Sequence, residues 1–336
     1  MPMPRSTLVI GGTRNLGPDL VAALIARGDQ VTVLNRGVTP GDLPREVTRL
    51  RADRSDAAAL GAALRGRSFD LVVDTTLYTG PDAEAIAGVL EGLALRYVFW
   101  STGQVYLVRA RLTAPYREGD YDGPVMAEPP PSSTIDHDNW RYGVDKRAAE
   151  DALRAAFRSR AFPYVSLRMP MINSPRDHYT RLAAYVHRLL DGGPILVPDD
   201  QDALRLRHVH GGDVVAATLR AGEPDVPAGT CLNISQDETL TLEEMLAPIG
   251  RQLRRAVAIA RLPRAELERR GLLPGCSPWS GRWMSQLAND RARQVLGLRF
   301  SPPVEYLPAL VETARALPAS RVVGYQQRPR EADVAS

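Results

Sequence analysis

Short, wholly apolar runs alternate along this chain with segments whose apolar residues recur at helical spacing. Leu8-Val9-Ile10 reads as a buried strand that runs straight into Gly11-Gly12-Thr13-Arg14-Asn15-Leu16-Gly17, and Leu20 to Ala26 then carries a helical pattern. Further strands are expected at Gln30 to Leu34, Val47 to Leu50, Phe69 to Asp74, Tyr97 to Trp100 and Tyr164 to Arg168. Helices are expected over Asp56 to Leu64, Pro81 to Leu93 and around Tyr142. Such alternation implies an α/β fold built on a doubly wound parallel sheet, with ligands at the carboxyl ends of its strands.

Between Thr113 and Asn139 the pattern gives way to prolines, acids and small polar residues, a long loop of the kind that forms lids or binding segments. Asp136, His137 and Asp138 near its end are either turn and helix-entry residues or groups that reach a substrate. A helix from Tyr179 to Leu190 should stop at Gly192-Gly193-Pro194, and a strand is expected over Leu204 to His210. Asp213 should cap a helix from Val214 to Arg220, and Thr239 to Glu244 has the chemistry of a helix start. Arginine-rich amphipathic segments reach Ala316, and Gln326 to Ser336 reads as a disordered tail.

At 336 residues the chain can form one large domain or two lobes, and 44% hydrophobic with 24% charged residues is ordinary for a soluble globular protein. A net charge of +3 without a long basic run argues against a nucleic-acid partner. No apolar run is long enough for a membrane span, and Met1 to Thr7 lacks the apolar region of a signal peptide. Cys231 and Cys276 lack metal-ligand spacing, so reduced thiols in a cytoplasmic protein are expected.

Strand, glycine turn and helix form the opening of a dinucleotide-binding unit. Glycines there allow a tight turn and close approach to a pyrophosphate, although they can also serve the turn alone. The next strand ends in Asn35-Arg36-Gly37, where an NAD site would carry an acid for the ribose 2′-hydroxyl. Arg36, with Arg14 in the glycine loop, could instead meet a 2′-phosphate, which favours NADP(H) over NAD(H). A solvated arginine pair is the alternative.

Lys146 changes the picture most, because of 42 Lys plus Arg residues it is the single lysine. A guanidinium is a planar fork, whereas an ammonium is a compact point charge. Tyr142 precedes it by four residues in Tyr142-Gly143-Val144-Asp145-Lys146, so on a helix the two share one face. An ammonium beside a phenol favours phenolate and makes Tyr142 a candidate proton donor and acceptor near neutrality. A surface helix on which the two fall one turn apart by chance is the competing explanation.

Together these residues resemble the extended short-chain dehydrogenase/reductase family, also called NAD-dependent epimerase/dehydratases, from Leu8 to about Leu246. The motifs are the glycine loop ending at Gly17, Asp53 after the third strand, Ser101-Thr102-x-x-Val105-Tyr106, Tyr142-x-x-x-Lys146, Leu167-Arg168-x-Pro170 and His210-x-x-Asp213. The resemblance implies a Rossmann-like domain over 1–170 joined by 204–222, a smaller C-terminal substrate-binding lobe over 171–203 and 223–318, and a flexible tail at 319–336. It makes Tyr142 the general acid/base and Thr102 the donor to a reacting carbonyl. Lys146 would lower the Tyr142 pKa and hold the nicotinamide ribose. Implied cofactor contacts are the loop from Gly11 to Gly17, Asn35, Arg36, Asp53 at the adenine amino group, Arg54, Thr75, Thr76, Pro170, Met171 and Ile172, with no metal. A homodimer through helices near Ala83 to Leu93 and Trp140 to Phe157 is also implied.

Two departures shape the functional expectation. Arg14 replaces the family's middle glycine and Asn35-Arg36 its acid, both in favour of NADP(H). Gly103-Gln104 follow Thr102 where 4,6-dehydratases carry Asp-Glu, so elimination of water lacks an evident catalyst. The expected activity is an NADP(H)-dependent carbonyl reductase or alcohol dehydrogenase acting on a small carbonyl, alcohol or sugar-nucleotide substrate. A nucleotide-sugar epimerase, and a non-catalytic regulator or RNA-binding relative, are the alternatives.

Overall fold

The computed structural model describes residues 4–39, 41, 43–200 and 204–335. Met1, Pro2 and Met3 of the opening stretch and Ser336 of the tail lie outside them. Two compact units are present: 1–170, 211–234 and 287–299 form the first, and 171–210, 235–286 and 300–336 the second.

The first unit begins β1 (Ser6–Ile10), α1 (Gly17–Arg27), β2 (Gln30–Asn35), β3 (Thr48–Arg51), α2 (Ala57–Leu64), β4 (Leu71–Asp74) and α3 (Gly80–Val89). It continues with β5 (Tyr97–Thr102), α4 (Gln104–Leu107), α5 (Thr134–Arg160) and β6 (Tyr164–Met169). In the second unit, β7 (Ile172–Asn173), α6 (Arg181–Asp191), β8 (Ile195–Pro198) and β9 (Val209–His210) follow. The chain then returns to the first unit with α7 (Gly211–Ala221) and β10 (Thr230–Asn233). Later come α8 (Leu242–Leu253), β11 (Ile259–Leu262), α9 (Arg264–Arg269), α10 (Asp290–Leu296), α11 (Pro303–Ala316) and α12 (Arg328–Ala335), of which only α10 belongs to the first unit.

The main sheet has seven parallel strands in the order β10-β6-β5-β4-β1-β2-β3. Its central strands are buried on both faces, which is why Leu71-Val72-Val73 of β4 and Tyr97-Val98-Phe99-Trp100 of β5 read as unbroken apolar runs. Leu8, Ile10, Val72 and Phe99 pack with Leu60 and Leu64 of α2, Ile86 of α3 and Leu153 of α5. Local chemistry fixes the helix ends: Asp56 accepts from Ala59 N at 2.9 Å, Thr79 from Asp82 N at 3.3 Å, and Gly28 closes α1 at φ 96°. Strand order reverses between β1 and β4, so the switch point lies where the glycine loop and Thr75 leave the sheet.

Several boundaries differ from the sequence expectation. The loop expected to Asn139 ends at Ser133, whose hydroxyl donates to Asp136 at 2.9 Å, so Asp136, His137 and Asp138 are on α5. Segments 223–234 and 287–299, assigned by sequence to the second lobe, belong to the first unit because β10 completes the sheet beside β6 and α10 packs with it.

The second unit packs α6, α8 and α11 around Tyr185, Leu189, Leu246, Ile249, Leu307 and Val311. The helix start read at Thr239 to Glu244 is a capping box: Glu244 N donates to Thr241 Oγ1 and Thr241 N to the Glu244 carboxylate. Of the strand expected over Leu204 to His210, only Val209 and His210 pair, with Ile172 and Asn173, and Leu206 makes a single bridge to Leu240. Asp213 lies inside the first turn of α7, not before it, because Gly211 and Gly212 are already helical. The tail expected to be flexible forms two short turns and α12, with Glu331 fully buried and accepting from Arg188 Nε at 2.9 Å. A buried charge that needs its partner holds this segment in place.

Among the described residues, no helix is long and apolar enough to cross a membrane, and no group of three or more His, Cys, Asp or Glu could hold a metal ion. Both cysteines are free.

Candidate active site

The glycine loop is built for close backbone approach. Gly11 and Gly12 adopt φ of 97° and 76°, and a Cβ at Gly11 would fall 2.3 Å from Thr75 Oγ1. A Cβ on Gly17 would fall 2.5 Å from the Gly12 carbonyl carbon, so α1 starts directly against the loop. Thr75 donates its hydroxyl to Ile10 O at 3.0 Å and locks the turn. No side chain caps the N-terminus of α1, and Arg14 and Asn15 of the loop are exposed while Thr13 is half-buried. Gly17 N donates to Arg14 O at 2.8 Å and Pro18 has no N–H, so what the start of α1 offers an anionic ligand is the positive end of its helix dipole.

Asn35, at the end of β2, ties this loop to the following turn. Its amide donates to Gly11 O at 3.2 Å and its carbonyl oxygen accepts from Gly37 N at 2.8 Å, which leaves Arg36 projecting at the surface. Asp53 is exposed, and its carboxylate accepts from the Ser55 hydroxyl and amide at 2.7 and 3.0 Å; those bonds, with the Arg36 and Arg54 charges, hold it below its ordinary range. Arg54 differs from the expected cofactor contact. Its guanidinium is bidentate on the buried Asp74 carboxylate at 2.7 and 2.8 Å and reaches Thr76 at 3.1 Å. Burial alone would raise Asp74; Arg54, Thr76 and the Tyr97 hydroxyl at 2.7 Å hold it down.

Tyr142 and Lys146 come together on one face of α5. Lys146 is buried, and Nζ donates to Leu77 O at 2.7 Å and Trp100 O at 2.9 Å, between the carboxyl ends of β4 and β5. Its amine lies 4.7 Å from the centre of the Phe99 ring, 4.8 Å from that of Tyr78 and 5.8 Å from that of Tyr142. Burial pushes the amine down to about 7, against the pull of the Asp74 and Glu150 carboxylates. Thr102 ends β5 two residues beyond Trp100. Its oxygen accepts from Gln104 N at 3.2 Å, so its O–H is left to donate.

Three supports were not visible in the sequence reading. Gly143 seats Tyr142: a Cβ there would fall 2.5 Å from Val108 Cγ1 and 2.8 Å from Gln104 O, so α4 and α5 meet backbone to backbone. A glycine inside an otherwise good helix was the available signal. Asn139 donates to Ile135 O at 2.8 Å and accepts from Gln104 Nε2 at 2.8 Å, which leaves Gln104 Oε1 buried and without a hydrogen bond. Glu150, one turn after Lys146, accepts from Ser101 and from Arg168 Nε at 3.0 Å; Arg168 in turn donates to the Tyr106 hydroxyl at 2.6 Å. Pro170 ends the first unit, whereas Met171 and Ile172 belong to the second, where Met171 O accepts from Val209 N at 3.0 Å.

Residues 7–235 match the model of the NAD dependent epimerase/dehydratase family, well over half of the chain. The chain belongs to that family. Among curated relatives, the 2′-dehydrokanamycin reductase of Streptomyces kanamyceticus is 25% identical over 74% of this chain and 66% of the reductase. The chloroplast stem-loop binding protein of 41 kDa b of Arabidopsis thaliana is 27% identical over 71% of this chain and 61% of that protein. The matches thus span under two thirds of either relative. Among solved structures, UDP-glucose 4-epimerase of Thermotoga maritima superposes with a TM-score of 0.72 at 18% identity, covering 92% of this family member and 98% of the epimerase. The dTDP-glucose 4,6-dehydratase of Bacillus anthracis superposes with a TM-score of 0.70 at 14% identity, covering 99% and 100%. At these identities the superpositions establish the Rossmann-like fold of this epimerase/dehydratase family member.

Proposed function

We propose that this family member is an NADP(H)-dependent oxidoreductase that reduces a carbonyl or oxidises an alcohol, with Thr102, Tyr142 and Lys146 as its catalytic set. The observation that carries the reading is the desolvated Lys146 amine anchored behind the Tyr142 ring at the carboxyl ends of β4 and β5. The residues present fit a dinucleotide: Gly17 lets α1 start against the loop, no side chain caps that helix, and no carboxylate stands at position 35. Arg36 favours a 2′-phosphate, and the 25% identical relative named as a reductase is in keeping with net reduction.

A bound nicotinamide supplies or takes up the hydride. Thr102 would donate its O–H to the carbonyl oxygen and orient it. Tyr142 would deliver the proton to that oxygen in reduction, and remove the hydroxyl proton in oxidation. The Lys146 amine, when protonated, would favour the phenolate left behind and would hold ribose hydroxyls.

Loss of NADPH absorbance that depends on an added carbonyl compound tests the reading. A protein that leaves NADPH untouched yet interconverts UDP- or dTDP-sugars is an epimerase. A second reading takes the name of the Arabidopsis relative as its support: binding of an RNA stem-loop. It predicts salt-sensitive RNA binding that Tyr142→Phe leaves unchanged.

A further inference from the structure

We infer that Arg51, which no cofactor motif includes, is the second arm of a clamp that receives the 2′-phosphate of the cofactor together with Arg36. The inference rests on the NADP(H) reading. Arg51 is the last residue of β3 and stands opposite Asn35 in the parallel register, with Ala52 N donating to Asn35 O at 3.2 Å. Register therefore brings to the end of β2 a side chain far from the glycine loop in sequence.

Gly37 shows where that side chain goes. Its φ is 72°, and a Cβ built on it would fall 2.8 Å from Arg51 Nε and 3.3 Å from Arg51 Cζ. The guanidinium lies along the backbone of the residue that follows Arg36, in space that any other residue at 37 would fill.

Neither arm is tied down by a contact of its own, although the Arg36 charge acts on Asp53. Arg36 and Arg51 are exposed, and neither makes a side-chain hydrogen bond or ion pair among the described residues. Neighbouring arginines are engaged: Arg49 donates to Leu43 O at 2.9 Å and Arg54 holds Asp74. Asn35, at the usual ribose-binding position, is a neutral amide, and its carbonyl oxygen is taken by Gly37 N. The nearby carboxylate, Asp53, is turned onto Ser55. Two planar forks at the mouth of a turn match a phosphate monoester dianion and discriminate against a plain hydroxyl.

Titration calorimetry of the purified full chain with NADP⁺ and with NAD⁺ tests this without turnover. Wild type is expected to favour NADP⁺. Arg51→Ala should weaken NADP⁺ about tenfold or more, as for loss of a charge-assisted contact, and alter NAD⁺ by no more than about twofold. Arg51→Lys, which keeps the charge but not the fork, should fall between the two. Wild type that favours NADP⁺ while Arg51→Ala shifts both cofactors equally, or neither, overturns the inference and leaves the NADP(H) reading intact. Wild type that favours NAD⁺ overturns both.

Discussion

The Lys146 amine lies 5.8 Å from the centre of the Tyr142 ring and is anchored to the main chain at Leu77 and Trp100, so one helical turn sets the distance between an amine and a phenol. Tyr142→Phe keeps the ring and removes the hydroxyl. Turnover should fall at least about a hundredfold while cofactor affinity changes little, as for loss of a positioned acid/base. Lys146→Met should lower turnover as much and also weaken the cofactor. Near-normal rates in both variants would remove the pair from the mechanism.

Burial takes Lys146 from 10.5 to about 7. Between those values the unfolded chain binds a proton that the folded chain does not, so this group's contribution to stability rises with pH across the window and is flat below it. Lys146→Met abolishes that slope. Urea unfolding of both proteins between about pH 6 and 10 should show wild type gaining on the variant as pH rises. A difference independent of pH would mean that the amine is solvated.

Asp74 is fully buried and paired with Arg54, and its charge helps to keep a proton on Lys146. Asp74→Asn leaves a largely buried guanidinium without a counter-ion, at a cost of about 3 kcal/mol, and should lower the Lys146 pKa further. Denaturant unfolding measures the first effect and the pH profile of turnover the second. Unchanged stability would show that solvent reaches Arg54.

Arg188 and Glu331 form the corresponding pair in the second unit, both fully buried. Glu331→Ala should destabilise the protein by about 3–5 kcal/mol through the stranded guanidinium. A melting temperature within a degree or so of wild type would return the C-terminal segment to the flexible tail that its sequence suggested.

What the sequence revealed was local. Gly11 to Gly17, Asn35-Arg36, Thr102 and the Tyr142–Lys146 spacing each lie within one turn or one strand end, and apolar periodicity marked the strands that carry them. Arg54 on Asp74, Glu150 on Arg168 and Arg51 against Gly37 join residues that only strand register or helix packing brings together. The end of the chain was misread for the same reason: its arginines and acids look solvated until Arg188 is found buried opposite Glu331. Leu204 to His210 alternates well enough for a strand, yet most of it has no neighbouring strand to pair with.

A chain with a single lysine offers amine-directed reagents one side-chain target. Buried and held by the Leu77 and Trp100 carbonyls, that amine is out of a reagent's reach in the folded chain, even though burial lowers its proton affinity to about 7. Its acylation rate thus becomes a gauge of how often this part of the chain opens.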